Sequence, residues 1–295
     1  RRVASPQRHS FGSMGVGAAL RAQGVEDGLS SRNFEALSRY IYDYSGIKMP
    51  ITKLTMLEGR LRRRLRATGI ASFNGYCDYL FKRGGIEKEA IFLIDAVTTN
   101  KTDFFREPKH FDYMAAAGLP EMVAAGHKRL RLWSAACSIG AEPYTMAMVM
   151  QDFADAAPGL DYRILATDLS TDVLQAARRG VYPREMIQPV PAEMQRRYVM
   201  VSRHAGRGEV RIHPRLRSTI GFARMNLMDS AYKVGEPMHM IFCRNVLIYF
   251  DKPTQAKVLS RLCDCLVPGG FLYVGHSETV AGISLPVRQV ANTVF

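Results

Sequence analysis

The sequence predicts an α/β protein with a mostly parallel sheet, preceded by a small all-α domain. Two observations predict this class. Strand-length apolar runs alternate with helical patterns from residue 129 onward, and apolar residues recur at three- and four-residue steps between 29 and 96. The chain has 295 residues, of which 47% are hydrophobic, and this is enough for two domains with separate cores.

The chain divides into successive parts. Residues 1–28 hold several Arg, Ser and Gly without a helical period, and we expect a disordered leader. A helical N-terminal domain is expected over 29–98, a linker that contributes to a ligand site over 99–110, and the α/β domain over 111–295. We expect a small β-subdomain inserted at about 190–218, because the connection there is far longer than ordinary loops between a helix and a strand.

The α/β part contains five strand candidates and three helix candidates. The strands are expected at 129–133, 163–167, 219–223, 238–243 and 271–275, and the helices at 142–154, 171–178 and 253–266. Pro268-Gly269-Gly270 is interpreted as the end of the last helix. In the insertion, 197–202 and 209–213 predict a β-hairpin, which should lean on the main domain or pair with a third strand.

Charge and cysteine content narrow the classes of function. Lys and Arg number 40 against 27 Asp and Glu, and the net charge of +13 implies an anionic partner: nucleic acid, a membrane surface or an acidic protein. The five cysteines are odd in number and scattered, which predicts reduced thiols and no metal site. Neither a signal peptide nor a membrane span is apparent, so we expect a cytoplasmic protein.

One helix of the N-terminal part combines an apolar and a basic face. Leu54, Leu57, Leu61 and Leu65 form one stripe, and Arg60, Arg62, Arg63 and Arg66 fan across the opposite side. These arginines either form an ordinary solvated surface or dock an acidic partner.

The turn after the first strand predicts a ligand site. Residues 134–143 are mostly small and lead into a helix, and ligands of open α/β sheets bind at this end of the strands. One glycine stands where a dinucleotide fingerprint has three, so a ligand without phosphates fits better. Asp168 ends the second strand and could accept hydrogen bonds from both hydroxyls of a ribose. The alternative is a helix N-cap, but Ser170 or Thr171 could cap that helix instead.

Further polar residues follow other strands. Arg244-Asn245 follows the fourth strand, and two such polar residues are not expected in the hydrophobic core. Tyr249 is either a functional phenol or a core aromatic residue whose hydroxyl contacts water. Glu142 lies in the first turn of its helix, where the helix dipole favours an acid regardless of function. His276 is interpreted as supporting or structural, because no hydrolase motif accompanies it.

Five blocks of sequence together resemble one known family. They are TTNKTDFFRE (98–107), WSAACSIG (133–140), ATD (166–168), FCRNVLIYF (242–250) and GHSE (275–278). In this order they resemble the chemotaxis receptor glutamate methyltransferases of the CheR family, over residues from about 29 to 295. The resemblance implies a helical N-terminal domain, a Rossmann-like S-adenosylmethionine domain and an inserted β-subdomain used in receptor docking.

The resemblance also implies site residues. In that family the cofactor S-adenosyl-L-methionine, which leaves as S-adenosyl-L-homocysteine, is held by positions that match Asn100, Thr102, Arg106, Glu142, Asp168, Asn226, Leu227, Arg244 and Asn245. Tyr249 matches the tyrosine near the transferred methyl group. The family often has two acids before the proline of the cofactor turn, whereas this chain has Ala141-Glu142.

The reaction implied is methyl transfer to glutamate carboxylates of bacterial chemoreceptors, which forms methyl esters. Tyr249 is expected to orient the incoming carboxylate, Arg106 to hold a carboxylate of cofactor or substrate, and Phe104, Phe105 and Phe250 to shield the site. The partners implied are acidic receptor helices and, in some members only, a receptor C-terminal peptide on the β-subdomain. We expect a monomer that is recruited to membrane receptor arrays.

Two rival functions are weighed against this one. A nucleic-acid methyltransferase would suit the positive charge, but residues 245–249 lack the prolines of the motif typical of such enzymes. A non-catalytic module that senses the cofactor would be expected to lose Tyr249 or Arg106, and both are present.

Overall fold

The computed structural model describes residues 28–203, 206 and 208–295. The predicted leader therefore lies outside the described residues except for Gly28, as do His204, Ala205 and Arg207 of the predicted hairpin loop. Among the residues described, no helix is both long and apolar enough to cross a membrane.

Helices and strands follow one another in the expected order. The helices are α1 (Ser31–Ser45), α2 (Leu54–Thr68), α3 (Phe73–Lys82), α4 (Ile86–Val97), α5 (Lys109–Tyr113), α6 (Leu119–Ala124), α7 (Ala141–Ala156), α8 (Thr171–Arg179), α9 (Ala192–Tyr198), α10 (Pro214–Arg217) and α11 (Lys252–Asp264). The strands are β1 (Arg129–Ala135), β2 (Asp161–Asp168), β3 (Val181–Pro183), β4 (Val199–Val201), β5 (Glu209–Ile212), β6 (Ile220–Arg224), β7 (Met238–Cys243) and β8 (Leu266–Val274).

Helices α1 to α4 form a small domain with its own core. The Ser30 side chain caps α1 by accepting a hydrogen bond from the Asn33 N–H, and Gly46 ends this helix in the left-handed conformation. Leu57 and Leu61 of the predicted α2 stripe are fully buried in that core. The predicted amphipathic pattern of α2 is confirmed.

The central sheet has the strand order β6-β2-β1-β7-β8, and all neighbours are parallel. The chain adds β2 and β6 on one side of β1 and then returns to add β7 and β8 on the other. The order therefore reverses between β1 and β7, and in open α/β sheets ligands bind beyond the carboxyl ends of the strands at such a switch point.

Two details differ from the sequence-based expectation. Pro268-Gly269-Gly270 does not end the last helix, because α11 already ends at Asp264 and these residues lie within β8. A Cβ on Gly270 would lie 2.9 Å from the Val267 carbonyl oxygen and 3.0 Å from that of His239, so the backbones approach too closely for a side chain. The predicted hairpin, β4 and β5, pairs with a third strand as expected, but that strand, β3, precedes the predicted insertion; the order is β3-β5-β4.

The helical domain contacts the α/β domain directly. The Asp95 carboxylate of α4 accepts hydrogen bonds from the Thr171 N–H and hydroxyl at the start of α8, at 3.0 and 2.7 Å. The Tyr42 hydroxyl of α1 donates to Asp251, the N-cap of α11, at 2.6 Å. These contacts position α1 and the end of α4 beside the carboxyl edge of the central sheet.

Candidate active site

Three turns meet at the carboxyl edge of the sheet. Ala135 of β1 is in register with Thr167 of β2 on one side and Cys243 of β7 on the other. The next residue along each strand is therefore Ala136, Asp168 or Arg244, and the three turns lie next to one another. Parallel pairing alone brings together residues that are far apart in sequence.

A pocket of about 960 Å³, part of it open to solvent, lies over this edge. The predicted cofactor residues and the predicted phenol all line it: Asn100, Thr102, Arg106, Glu142, Asp168, Asn226, Leu227, Arg244, Asn245 and Tyr249. Ser45 and Ile47 of the helical domain line it too, a contribution that the sequence patterns did not indicate.

Asp168 is a buried carboxylate with both oxygens at the base of the pocket. One oxygen accepts the Ser138 N–H at 2.8 Å and the other the Ser170 N–H at 2.9 Å. Burial raises the pKa of Asp168, although these backbone donors favour the charged form. Ser170 is the N-cap of α8, so the cap interpretation of Asp168 is wrong. Each oxygen keeps lone-pair capacity for a further donor such as a ribose hydroxyl.

Glu142 and Arg244 form a buried ion pair on the opposite wall. The Arg244 Nε donates to Glu142 at 2.8 Å, and the second Glu142 oxygen accepts the Ser134 hydroxyl at 2.7 Å. The Arg244 side chain is only 1% exposed and its guanidinium also lies over the Phe111 ring. Arg244 therefore fixes the orientation of Glu142 within the pocket wall.

Glu107, which was not among the predicted cofactor residues, ties the linker to two strand ends. Its carboxylate accepts the Asn245 side-chain N–H at 3.0 Å and the His276 backbone N–H at 3.2 Å, and lies 3.4 Å from Arg244. Burial alone would raise the pKa of Glu107, but the Asn245 hydrogen bond and the Arg244 charge outweigh it and lower the pKa. Because the side-chain N–H of Asn245 donates to Glu107, the amide oxygen of Asn245 points away from that carboxylate.

His110 is buried behind this network. Arg244 Nη1 lies 2.9 Å from His110 Nδ1, and Nε2 lies 2.8 Å from the Thr293 hydroxyl. Burial, followed by the Arg244 charge, lowers the pKa of His110 to about 4, so the ring is neutral at pH 7. Glu107, His110 and His276 together could offer ligands to a cation, but the Arg244 guanidinium already occupies the first two.

Left-handed backbone is concentrated here. Among the described residues, those other than glycine with positive φ are Phe105, Glu107, Ala136, Ser138, Asn245 and Thr293. The first five lie in or beside the pocket turns, and Thr293 contacts His110. Such conformations cost free energy and tend to collect at functional sites, where the surrounding contacts hold them.

The linker closes over the pocket with its polar side, whereas its apolar pair does not shield the site. Asn100 O accepts the Ser138 hydroxyl at 2.9 Å, and Arg106 donates to Lys101 O at 3.0 Å. Phe104 is buried against Tyr182, and Phe105 is half-buried against Phe111; neither lines the pocket. Only Phe250 of the three predicted shields lines the pocket, because the apolar pair is drawn into the domain core.

Asn226 connects the pocket to α1. Its side-chain N–H donates to Tyr44 O at 2.6 Å, and its side-chain oxygen accepts the Met228 N–H at 3.0 Å. Leu227 is buried beside it. The helical domain therefore helps to hold this turn in place.

The arginine face of α2 is divided in the structure. Arg62, Arg63 and Arg66 are exposed. Arg60 differs from the expectation, because its guanidinium caps the end of α4 by donating to the carbonyls of Val97 and Thr98. The reason is that α2 and α4 are packed side by side, which the helical period of α2 alone does not reveal.

The residues that sequence patterns missed carry weak signals. Glu107 ends the first matching block and Glu278 ends the last, but acids on turns are common on any surface. Their hydrogen-bond partners in the structure distinguish them, together with the burial of Glu278.

The residues present fit a nucleoside cofactor without phosphates. Asp168 offers two acceptor oxygens at the end of β2, the turn after β1 has small side chains, and Leu227 and Phe250 supply apolar walls. A switch-point pocket with these donors and acceptors, on a parallel sheet, fits the class of S-adenosylmethionine-dependent methyltransferases.

Comparison with known proteins identifies the family. Residues 100–295 match the CheR methyltransferase SAM-binding domain, and residues 32–98 match the CheR methyltransferase all-alpha domain. The chain belongs to the CheR methyltransferase family, and its cofactor is S-adenosylmethionine.

Curated relatives agree over most of the chain. Chemotaxis protein methyltransferase 2 of Pseudomonas aeruginosa is 37% identical over 265 residues, covering 89% of this chain and 92% of the relative. The chemotaxis protein methyltransferase of Salmonella typhimurium is 38% identical, covering 90% of each chain. That of Escherichia coli is 36% identical, covering 90% of this chain and 91% of the relative.

Proposed function

We propose that the enzyme transfers the methyl group of S-adenosylmethionine to glutamate side-chain carboxylates of bacterial chemoreceptors, which forms methyl esters. The observation that carries the proposal is the state of the two pocket carboxylates. Asp168 and Glu142 are both engaged in buried hydrogen bonds, whereas Lys101, Arg106 and the Tyr249 phenol also line the pocket. Such a wall attracts an anionic acceptor.

A carboxylate acceptor needs no general base. The reference pKa of glutamate is roughly 4.3, so its side chain is ionised at neutral pH before it arrives. An amine or hydroxyl acceptor would have to lose a proton to a base. Glu142 cannot easily serve, because Arg244 and Ser134 occupy its two oxygens. Glutamate is therefore the acceptor that this pocket suits best.

Different residues of the pocket are proposed to bind different parts of the cofactor. Asp168 accepts the ribose hydroxyls, and Leu227 with Phe250 contacts the base. The linker residues Asn100, Thr102 and Arg106, together with Glu142, Arg244 and Asn245, hold the amino-acid end. Asn226 fixes the turn that carries Leu227 through its bond to the α1 carbonyl.

Positioning and exclusion of water accomplish the methyl transfer. The bound cofactor supplies an electrophilic methyl group on a sulfonium. Tyr249 donates a hydrogen bond that orients the incoming carboxylate, Arg106 holds a carboxylate, and Phe250 excludes water. Exclusion of water by Phe250 would favour a reaction in which the acceptor carboxylate and the cofactor neutralise each other's charge.

The exposed arginines of α2 are proposed to dock the receptor. The relatives carry the name chemotaxis protein methyltransferase, and the family resemblance implies acidic receptor helices as partners. Arg62, Arg63 and Arg66 lie on the helix whose Arg60 contacts Thr98 and Thr99, and both threonines line the pocket. A helix steered to this face is delivered beside the pocket.

A second contact concerns the β-subdomain. Strand β4 is at the edge of the small sheet, with Val201 exposed, and offers the unpaired edge that an extended peptide would need. Docking of a receptor C-terminal peptide there is a proposal separate from the methyl transfer itself.

The test is transfer of labelled methyl from S-adenosylmethionine to receptor signalling fragments, followed by base treatment. Base-labile label on glutamate is expected, because carboxyl esters hydrolyse and N-methyl groups do not. Cofactor binding without transfer to any receptor would favour the sensing module, and transfer to duplex DNA would favour the nucleic-acid enzyme. Tyr249→Phe should slow transfer with little change in cofactor affinity; normal turnover would remove its orienting role.

A further inference from the structure

The turns that follow β7 and β8 meet at one buried carboxylate. Glu278 is 6% exposed, and its oxygens accept four backbone N–H groups. One oxygen accepts from Gly275 at 2.6 Å and Asn245 at 2.9 Å, and the other from Leu247 at 2.7 Å and Ile248 at 3.4 Å. Three of these four donors belong to the turn that leads to Tyr249.

This turn needs an external anchor. Asn245 has a φ of 58°, in the left-handed region that few side chains prefer, and Leu247–Tyr249 is a single 3₁₀ turn. A short turn has few internal hydrogen bonds, so the N–H groups at its start require partners from elsewhere. Glu278 supplies them from across the site.

The two loops are in close contact at this point. A Cβ on Gly275 would lie 2.6 Å from the Asn245 side-chain nitrogen and 2.8 Å from the Glu278 carboxylate. No space is left in which the Tyr249 turn could shift toward β8 without breaking these contacts.

We propose that Glu278 is a positioning residue for methyl transfer, which holds Tyr249 at the distance from the cofactor that the reaction requires. The role of Tyr249 rests on the proposed function. We call the four hydrogen bonds that Glu278 accepts the clamp, and their presence does not depend on the proposed function. Glu278 has no place in the pocket lining, so it acts through the turn and not by contact with substrate.

The main test is Glu278→Gln. The amide keeps one acceptor oxygen but turns an N–H₂ group toward two backbone donors, so at least half of the clamp is lost. We expect kcat for receptor methylation to fall between about tenfold and a hundredfold, with cofactor Kd changed less than about threefold, because a small misplacement acts on the reaction step. Glu278→Asp, which keeps the charge on a shorter arm, should recover part of the rate.

A matched control separates positioning from loss of stability. Glu89 is as buried as Glu278 and accepts from Arg64 and Tyr76, but it lies in the all-α domain away from the pocket. Glu89→Gln is expected to lower thermal stability while kcat at saturating receptor stays unchanged. Equal losses of kcat in the two Gln variants would overturn the positioning role.

A double-mutant cycle shows whether Glu278 acts through Tyr249. If it does, Glu278→Gln should slow the Tyr249→Phe enzyme by less than about twofold, because the phenol it positions is already gone. Equal rate losses in both backgrounds would overturn the proposal. If Glu278→Gln does not fold, the same cycle is measured with Glu278→Asp.

Hydrogen exchange tests the clamp without any substrate. Glu278→Gln should speed exchange of the Leu247 and Ile248 amides by at least about tenfold, with the β1 amides unchanged. Unchanged exchange in this turn would overturn the clamp whatever the substrate is. Faster exchange in a protein that methylates no receptor would leave the clamp standing and remove only the proposed function.

Discussion

The pocket and the α2 surface both depend on arginine, but in opposite environments. Arg244 is 1% exposed and bonds to Glu142, Arg106 O and His110. Arg63 on α2 is 64% exposed, and its ion pair with Asp172 has an N–O distance of 3.3 Å. A buried charge is held by geometry and is barely screened. An exposed charge acts through a field that salt weakens. The first environment suits chemistry and the second suits encounter with a partner.

The largest expected effect is on Arg244. Arg244→Met should lower the free energy of unfolding by about 3–5 kcal/mol, because it removes the buried cation that balances the Glu142 carboxylate and, in part, the Glu107 carboxylate. Arg63→Met should cost less than about 1 kcal/mol, because its ion pair is exposed. Denaturant unfolding measures both. Similar losses at the two sites would show that the contrast between the environments is false.

Asp168 should show a large effect on affinity with a small effect on stability. Asp168→Asn replaces one acceptor oxygen by a donor, so we expect the Kd for S-adenosylmethionine to rise between about tenfold and a hundredfold in calorimetric titrations. Asp172→Asn, on the exposed side of α8, serves as the control and should leave this Kd unchanged. An unaffected Kd for Asp168→Asn would contradict the ribose role.

The α2 surface should show a smaller effect that depends on salt. The double variant Arg62→Glu, Arg66→Glu should raise KM for receptor fragments between about threefold and tenfold at low ionic strength, with kcat unchanged. The difference should shrink as salt is added, because exposed charges are screened. Arg163→Glu, at the amino end of β2 and thus opposite the pocket, is the control for overall charge. Undiminished receptor methylation by the α2 variant would remove the docking role.

The last prediction concerns the acid response of His110, which lies on the buried side of the comparison. Its pKa falls from 6.5 to about 4 on folding, so the neutral ring contributes stability above pH 6.5 that is lost as the pH falls toward 4. His110→Gln, which cannot bind this proton, should therefore lose less Tm than the parent protein between these pH values. Parallel Tm curves for the two proteins would show that His110 is not held neutral by its surroundings.

Local pattern was sufficient for most of the fold. The helical period of α2 and the strand-to-helix alternation identified the elements, because burying one face requires a regular spacing of apolar residues whatever the rest of the chain does. It failed at Pro268-Gly269-Gly270, which was interpreted as the end of a helix and lies within β8. Proline and glycine mark irregular backbone, but only the neighbouring strand decides whether the irregularity is an end or a bulge.

The sequence by itself determined which residues stand at strand ends, and so indicated Asp168, Arg244 and Asn245 as parts of one site. Tertiary structure alone decided which partners these residues have. The hydrogen bonds between Glu107 and Asn245, and between Glu278 and the Tyr249 turn, join positions far apart in the chain. The hydrogen bond from Arg60 to the end of α4 depends on how α2 and α4 pack. Burial and hydrogen-bond partners are properties of the assembled fold, since an acid on a turn is exposed or buried according to what packs against it.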